Sequence, residues 1–238
     1  MSELRVVSLV PSVSETLVAW GVAPVAVTRF CEQPGLATVG GTKNPDVDAI
    51  VALRPDLVVV DRQENRKADA EALEAAGLRV HVTDVRAVAD VGPTLARLRS
   101  VLGLEDGGND AAGAGPRPSQ RPPLRVWVPI WRRPWMTINQ HTYGSSLLEA
   151  CGAVNVFAEH PDAYPTVTLD EVEAARPDVV LTPTEPYSWA ERHRPLFAGI
   201  GPMVLVDGQD LFWWGVRTPG AIARIAAQVA SIAGAGGT

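Results

Sequence analysis

The chain repeats its own grammar. Leu4-Arg5-Val6 returns 120 residues later as Leu124-Arg125-Val126. Asp48-Ala-Ile-Val-Ala-Leu-Arg54-Pro55-Asp56-Leu-Val-Val returns 122 residues later as Asp170-Glu-Val-Glu-Ala-Ala-Arg176-Pro177-Asp178-Val-Val-Leu. Each copy has an acidic helix start, a short helix, Arg-Pro-Asp and an apolar run. One Arg-Pro-Asp is a weak signal, but two at matching offsets and in the same order imply two lobes of like topology. Proline cannot continue a helix, and the aspartate after it opens the turn into a buried strand. The motif is therefore read as structural, not chemical.

The segments between these anchors alternate. Arg5–Val10 is a β-rich run, after which Ser12 or Ser14 can cap a helix through Trp20, stopped by Gly21. Pro24–Thr28 reads as a short strand. Asp46 or Asp48 opens a helix to Leu53, and Leu57–Val60 is a buried strand. Ala68–Ala76 is a helix capped by Gly77, Arg79–Thr83 a strand, and Val88–Leu102 an amphipathic helix. Such alternation predicts parallel β-α units and an α/β fold. Residues 103–123, rich in Gly and Pro, cannot bury an apolar face and read as a hinge or tether, or else a surface insertion. The expected divisions are a first lobe at 1–84, a connecting helix plus linker at 85–123, and a second lobe at 124–238.

Composition excludes some functions. The net charge of −6 over 238 residues, with no basic run, argues against a nucleic-acid groove. Two cysteines, Cys31 and Cys151, are too few for an all-cysteine zinc site. Cys151 follows an apolar helical stretch and reads as a small core residue. No signal-like apolar segment precedes the first strand, and no window approaches the ~18 apolar residues that span a bilayer. The reading is cytoplasmic, or periplasmic or extracellular if a leader has been removed.

Taken together, Arg5-Val-Val-Ser-Leu-Val-Pro-Ser-Val-Ser-Glu-Thr-Leu, Gly21-Val-Ala-Pro-Val-Ala-Val-Thr, Val39-Gly-Gly, Tyr143-Gly-Ser-Ser-Leu-Leu-Glu-Ala-Cys-Gly-Ala-Val-Asn-Val-Phe, Tyr164-Pro-Thr-Val-Thr-Leu-Asp-Glu-Val and the Arg-Pro-Asp copies resemble a known superfamily. It is that of the vitamin B12-binding and iron-siderophore-binding proteins of ABC importers, the helical-backbone metal receptors. The resemblance implies two Rossmann-like lobes with parallel sheets, joined by one long helix, with a ligand in the cleft between them. It implies a corrinoid, tetrapyrrole-like or metal-chelate ligand and no catalytic residue. It also implies docking of acidic residues on each lobe to a permease, for which Asp48 and Asp170 occupy the matching helix starts; plain helix-dipole stabilisation of about 0.3–1 kcal/mol each is the simpler account. The Gly/Pro stretch departs from the resemblance, standing where much of the connecting helix should be.

Ligands of open α/β sheets lie beyond the carboxyl ends of strands. In the first lobe this places Phe30 and Glu32 after one strand, and Arg62 and Glu64 after another. In the second it places Trp131, Arg132 and Trp135 after the strand Arg125–Ile130, and Glu185 and Tyr187 after Val179–Leu181. Tyr143, Trp213, Trp214 and Arg217 complete the set, with Tyr164 a weaker candidate. At least one tryptophan of each pair is expected to face the ligand. Rings beside arginines suit a flat, partly anionic molecule. By the resemblance, Phe30 stands where the B12 binders present an aromatic, and Asp61 where an aromatic would be expected, which weakens the case for intact cobalamin and allows a smaller or more polar ligand. Cofactors are expected to be none.

Other readings have less behind them. Cys31 and His141 could form a nucleophile and base, but no orienting third residue is identifiable. His81, His141, His160 and His193 lack metal-site spacing and could bind a metal only by converging in space. His141 could serve as an axial ligand to a corrinoid metal. The alternative function is an intracellular enzyme or regulatory module that reuses the two-lobed scaffold.

Overall fold

The structure, a computed structural model, describes residues 4–105 and 122–235. Most of the expected linker, residues 106–121, lies outside the described residues. The chain divides into two compact units: Met1–Val85 with Val91–Ala111 and Trp214–Val216, and Arg86–Asp90 with Ala112–Trp213 and Arg217–Thr238.

The first lobe contains β1 (Val6–Ser8), α1 (Pro11–Ala19), β2 (Ala26–Val27), the small hairpin β3 (Gly40–Gly41) and β4 (Asn44–Pro45), α2 (Val47–Ala52), β5 (Leu57–Asp61), α3 (Lys67–Ala75), β6 (Val80–Thr83) and most of α4 (Val88–Leu102). The second contains β7 (Leu124–Trp127), the hairpin β8 (Trp131–Arg132) and β9 (Trp135–Met136), α5 (Tyr143–Ala150), β10 (Ala153–Asn155), α6 (Leu169–Ala175), β11 (Val179–Pro183), a 3₁₀ helix (Glu191–Phe197), β12 (Met203–Val206), α7 (Gly208–Phe212) and α8 (Thr218–Ala235).

Both main sheets have four parallel strands, ordered β2-β1-β5-β6 and β10-β7-β11-β12. These are one topology used twice, so the expectation of two parallel-sheet α/β lobes of like build holds. In each sheet the chain reverses direction of travel between the first and third strands of the lobe. Loops leaving those strands, β1 and β5 or β7 and β11, border the crevice where such folds take ligands.

The repeated motif makes the same lock in both lobes. Arg54 and Arg176 take left-handed backbone, with φ of 46° and 48°, because the following proline bars the helical region. Asp56 then accepts the Arg5 amide at 2.8 Å, and its own amide returns a bond to the Arg5 carbonyl at 2.8 Å. The Arg5 guanidinium donates to the Leu53 carbonyl at the helix end, 2.8 Å away. In the second lobe Asp178 accepts from the Arg125 amide at 2.8 Å, and Arg125 donates to the Ala175 and Arg176 carbonyls at 2.7 and 3.2 Å. The side chain that opens each sheet thus satisfies the orphan carbonyls of the helix that precedes the third strand.

Local details correct one expectation and decide another. Ser12 and Ser14 do not cap α1; Val10 is at the cap without a side-chain bond. Ser14 lies inside the helix and donates to the Val10 carbonyl at 3.0 Å and to Ser8 Oγ at 2.9 Å. Pro11 at the helix start leaves one fewer amide to cap. At α2 the cap is Asp46, accepting from Ala49 N at 3.0 Å, with Asp48 exposed in the first turn. At α6 it is Thr168, in a capping box with Glu171, and Asp170 is the exposed first-turn acid.

The two cores differ in chemistry. The first is aliphatic, built from Val7, Leu9, Ile50, Val58, Val60 and Leu73. The second is built around rings: Trp127, Trp189 and Phe197 with Val172, Val180 and Met203.

Because the lock is duplicated, Asp56→Ala and Asp178→Ala should act alike. Each should lower stability by about 1 kcal/mol, the net value of one backbone-to-carboxylate bond at an exposed site. Urea denaturation of the two variants checks this, and a cost confined to one lobe would contradict equivalence.

Candidate ligand-binding site

In the second lobe the strand ends carry a connected ladder of rings. Trp131 on β8 is 45% exposed and meets Tyr187 edge-on, with centroids 5.6 Å apart and planes at 84°. Tyr187 contacts Trp189 at 4.5 Å. Trp189 stacks parallel on Trp135 at 5.7 Å, and Trp135 reaches the fully buried Trp127 at 5.6 Å. Each such pair contributes roughly 0.5–1.5 kcal/mol beyond simple burial. The Trp189 indole donates to the Pro129 carbonyl at 2.8 Å, tying the loop after β11 to the segment leading into β8. The outer rungs are open to solvent and the inner ones are core.

The hairpin that carries Trp131, Arg132 and Trp135 is braced from outside. Thr137 N donates to the Pro165 carbonyl and Val167 N to the Trp135 carbonyl, both at 3.0 Å, so the chain around Tyr164 runs alongside β9. Tyr164 is exposed beside it.

A second cluster lies on α7 and the segment after it. Asp207 caps α7, accepting from Gln209 N at 2.8 Å. The buried Asp210 accepts from Arg217 at 3.0 Å and from Arg224 at 2.5 and 2.6 Å. The Arg224 hydrogen bond, with the charges of Arg224 and Arg217, holds the Asp210 carboxyl below the usual range. Arg217 also donates to Gln209 Oε1 at 2.9 Å and lies 5.3 Å over the Trp213 ring. Gly208 permits α7 to approach the Glu185 loop: a Cβ there would sit 2.6 Å from the Glu185 nitrogen.

In the first lobe, Phe30 is half exposed with Arg29 5.0 Å over its ring, and the β3–β4 hairpin presses on it at Gly41. Glu32 is exposed. Arg62 pairs with Asp84 at 3.1 Å, and Lys43 donates to the Gln63 carbonyl at 2.7 Å. Glu64 keeps accessible surface but is recessed. Burial, then the neighbouring Asp61 charge, pushes its carboxyl up, while Lys43 pulls it down.

Two expected contacts are corrected. Tyr143 is buried at the start of α5 with its hydroxyl 2.9 Å from Thr218 Oγ1. Trp214 is only 4% exposed. Neither leaves a face for a ligand, since both have been drawn into packing. Asp61 likewise turns inward, accepting from Thr83 Oγ1 at 2.7 Å and Gln63 N at 2.8 Å. The expected core role of Cys151 holds: it is buried, and burial pushes its thiol up to about 12. Among the described residues no group of three or more His, Cys, Asp or Glu side chains is placed to hold a metal ion, so the four histidines do not converge.

Sequence reasoning missed Trp189, Trp127 and His193. Trp189 stands two residues beyond Tyr187 in a loop already singled out, and following that loop to its end would have found it. Trp127 lies inside a strand and gave no such signal.

Comparison with known proteins gives similarities in sequence and in fold. Residues 6–106 match the family described as periplasmic binding protein. The vitamin B12-binding protein of Salmonella typhimurium strain LT2 is 26% identical over 189 residues, covering 74% of this chain and 71% of that protein. Among solved structures, the periplasmic vitamin B12-binding protein of Vibrio cholerae superposes with a TM-score of 0.80 at 20% identity, over 96% of this chain and 97% of that one. A periplasmic haem-binding protein, BhuT, in complex with two haems, superposes with a TM-score of 0.83 at 23% identity, over 96% and 98%. The resemblance read from the sequence is borne out. These relatives are named as binding proteins, for vitamin B12 or haem. The solved relatives named here are periplasmic, which gives the cytoplasmic expectation no support. No described helix is long and apolar enough to cross a membrane.

Asp210→Asn should remove a stability contribution with a definite pH window. A carboxyl depressed in the folded state stabilises fully above its unfolded value of about 4 and loses that effect as pH falls through the folded value. Urea midpoints of wild type and variant should therefore differ most at neutral pH and converge in acid. A gap that persists unchanged in acid would contradict this.

Proposed function

We propose that this chain is the solute-binding component of an importer and that it carries a flat metal chelate of the corrinoid or tetrapyrrole class. The observation that carries this reading is the ring ladder at the carboxyl ends of β7 and β11. Its outermost ring, Trp131, is large, apolar and 45% exposed, which a packed core alone does not require. The relatives support the ligand class, being named for vitamin B12 and haem.

The second lobe supplies the stacking surface through Trp131 and Tyr187, with Trp135 behind them. It adds polar reach through Arg132, Glu185 and the Trp213–Arg217 pair. The first lobe carries Phe30, Glu32, Arg62 and Glu64 at its own strand ends, groups suited to amide or carboxylate side arms. Asp48 and Asp170, exposed at corresponding helix starts, are the proposed acidic contacts to an ABC permease. That role places the working protein outside the cytoplasmic membrane.

The test is a titration of the purified protein with cobalamin, cobinamide, haemin and ferric chelates, followed by tryptophan emission. At least one should quench saturably, and Trp131→Ala should weaken it roughly tenfold while leaving the fold intact. A folded protein that responds to none of the four would overturn the ligand class.

A further inference from the structure

His193 is buried, and among the described residues it belongs to no metal-binding cluster. It lies behind the ladder. Its Nδ1 accepts the Ala190 amide at 3.1 Å, closing the start of the 3₁₀ helix. Its ring meets Trp189 edge-on at 5.2 Å with planes at 84°, and lies 5.8 Å from Tyr187. The loop Tyr187–Ala190 is thus pinned at two points, by His193 at Ala190 and by the Trp189 indole at Pro129. Tyr187, the rung that touches exposed Trp131, stands two residues before the first pin and lies against the Trp189 and His193 rings.

From this geometry we infer that His193 is a positioning residue of the ligand wall, whose neutral imidazole holds the Tyr187–Trp189 loop in its binding-competent form and releases it on protonation. The inference rests on the ladder being the ligand surface. Only a ring with a lone pair on Nδ1 can accept the Ala190 amide, so protonation and the lock are mutually exclusive. The charged and titratable groups around the ring are Arg192 on its own turn, Arg132 on β8, Tyr187 across from it, and Glu191 with Arg194, which pair with each other. Burial, then the positive charges of Arg192 and Arg132, keeps the imidazole below its ordinary range. The sign follows: the lock is complete above the ordinary imidazole value of about pH 6.5 and is lost only as pH falls through the lower value that the folded protein imposes.

The test compares wild type, His193→Asn and His193→Leu between about pH 7.5 and about pH 5.5. Asn places Oδ1 on Cγ, where histidine places Nδ1, so it can take the same amide without titrating. Wild-type affinity for the ligand that quenches should fall across this range by up to about tenfold, the worth of one buried hydrogen bond. The Asn variant should bind within about threefold of wild type at neutral pH and stay flat. The Leu variant, checked for folding by circular dichroism, should be weak throughout. An Asn variant that follows the wild-type pH profile overturns the inference, as does a folded Leu variant that binds normally. Near-ultraviolet circular dichroism of the ligand-free protein separates this from failure of the ligand reading. The aromatic signal of wild type, but not of the Asn variant, should change in acid whether or not any ligand binds, and an unchanged wild-type signal overturns the lock.

Discussion

The structure hangs on a turn in which an arginine is forced into left-handed backbone by the proline after it. At Arg54 and Arg176 the helix has to stop, because the next residue has no amide to give and bars the helical conformation. The aspartate that follows is then one residue from the strand and bonds back to the first strand of its sheet. Helix end, strand start and the pairing of first with third strand are fixed together. Those two strands border the reversal in chain direction, so the same turn places the loops that present Arg62 and Glu64 in one lobe, and Trp131 and Tyr187 in the other. Non-glycine left-handed residues are unfavourable by about 1–2 kcal/mol, which the reciprocal bonds of Arg5–Asp56 and Arg125–Asp178 offset.

Most of this was legible in the sequence because the motif is local and was written twice. Val88–Leu102 matches its expected bounds, and the buried third strands begin where Pro-Asp placed them. What was not legible was long-range. The serines after β1 look like caps, but Pro11 already starts the helix and Ser14 turns back to Ser8, a bond that depends on where the strand lies. Tyr143 and Trp214 look like ligand rings by type and position in the chain. Thr218, 75 residues away, captures the first, and packing encloses the second.

The candidate site was legible in part for the same reason. Strand ends can be found from hydrophobic runs, so the segments holding Trp131, Trp135, Glu185 and Tyr187 could be named. Which rings face outward depends on how they stack on one another. Trp135 and Trp189 lie face to face and pass the role of contact surface outward to Trp131 and Tyr187. The first lobe differs, because its core is aliphatic and Phe30 lies under Arg29 and against the glycine hairpin.

The ladder has an optical consequence. Indoles in near contact exchange electronic excitation faster than they emit, and here the contacts run unbroken from exposed Trp131 through Tyr187, Trp189 and Trp135 to buried Trp127. Light absorbed by Tyr187 can therefore pass to the indoles on either side of it before it is radiated, because the excited phenol lies above the excited indole. A coloured macrocycle lying on the outermost ring would drain photons from residues it never meets.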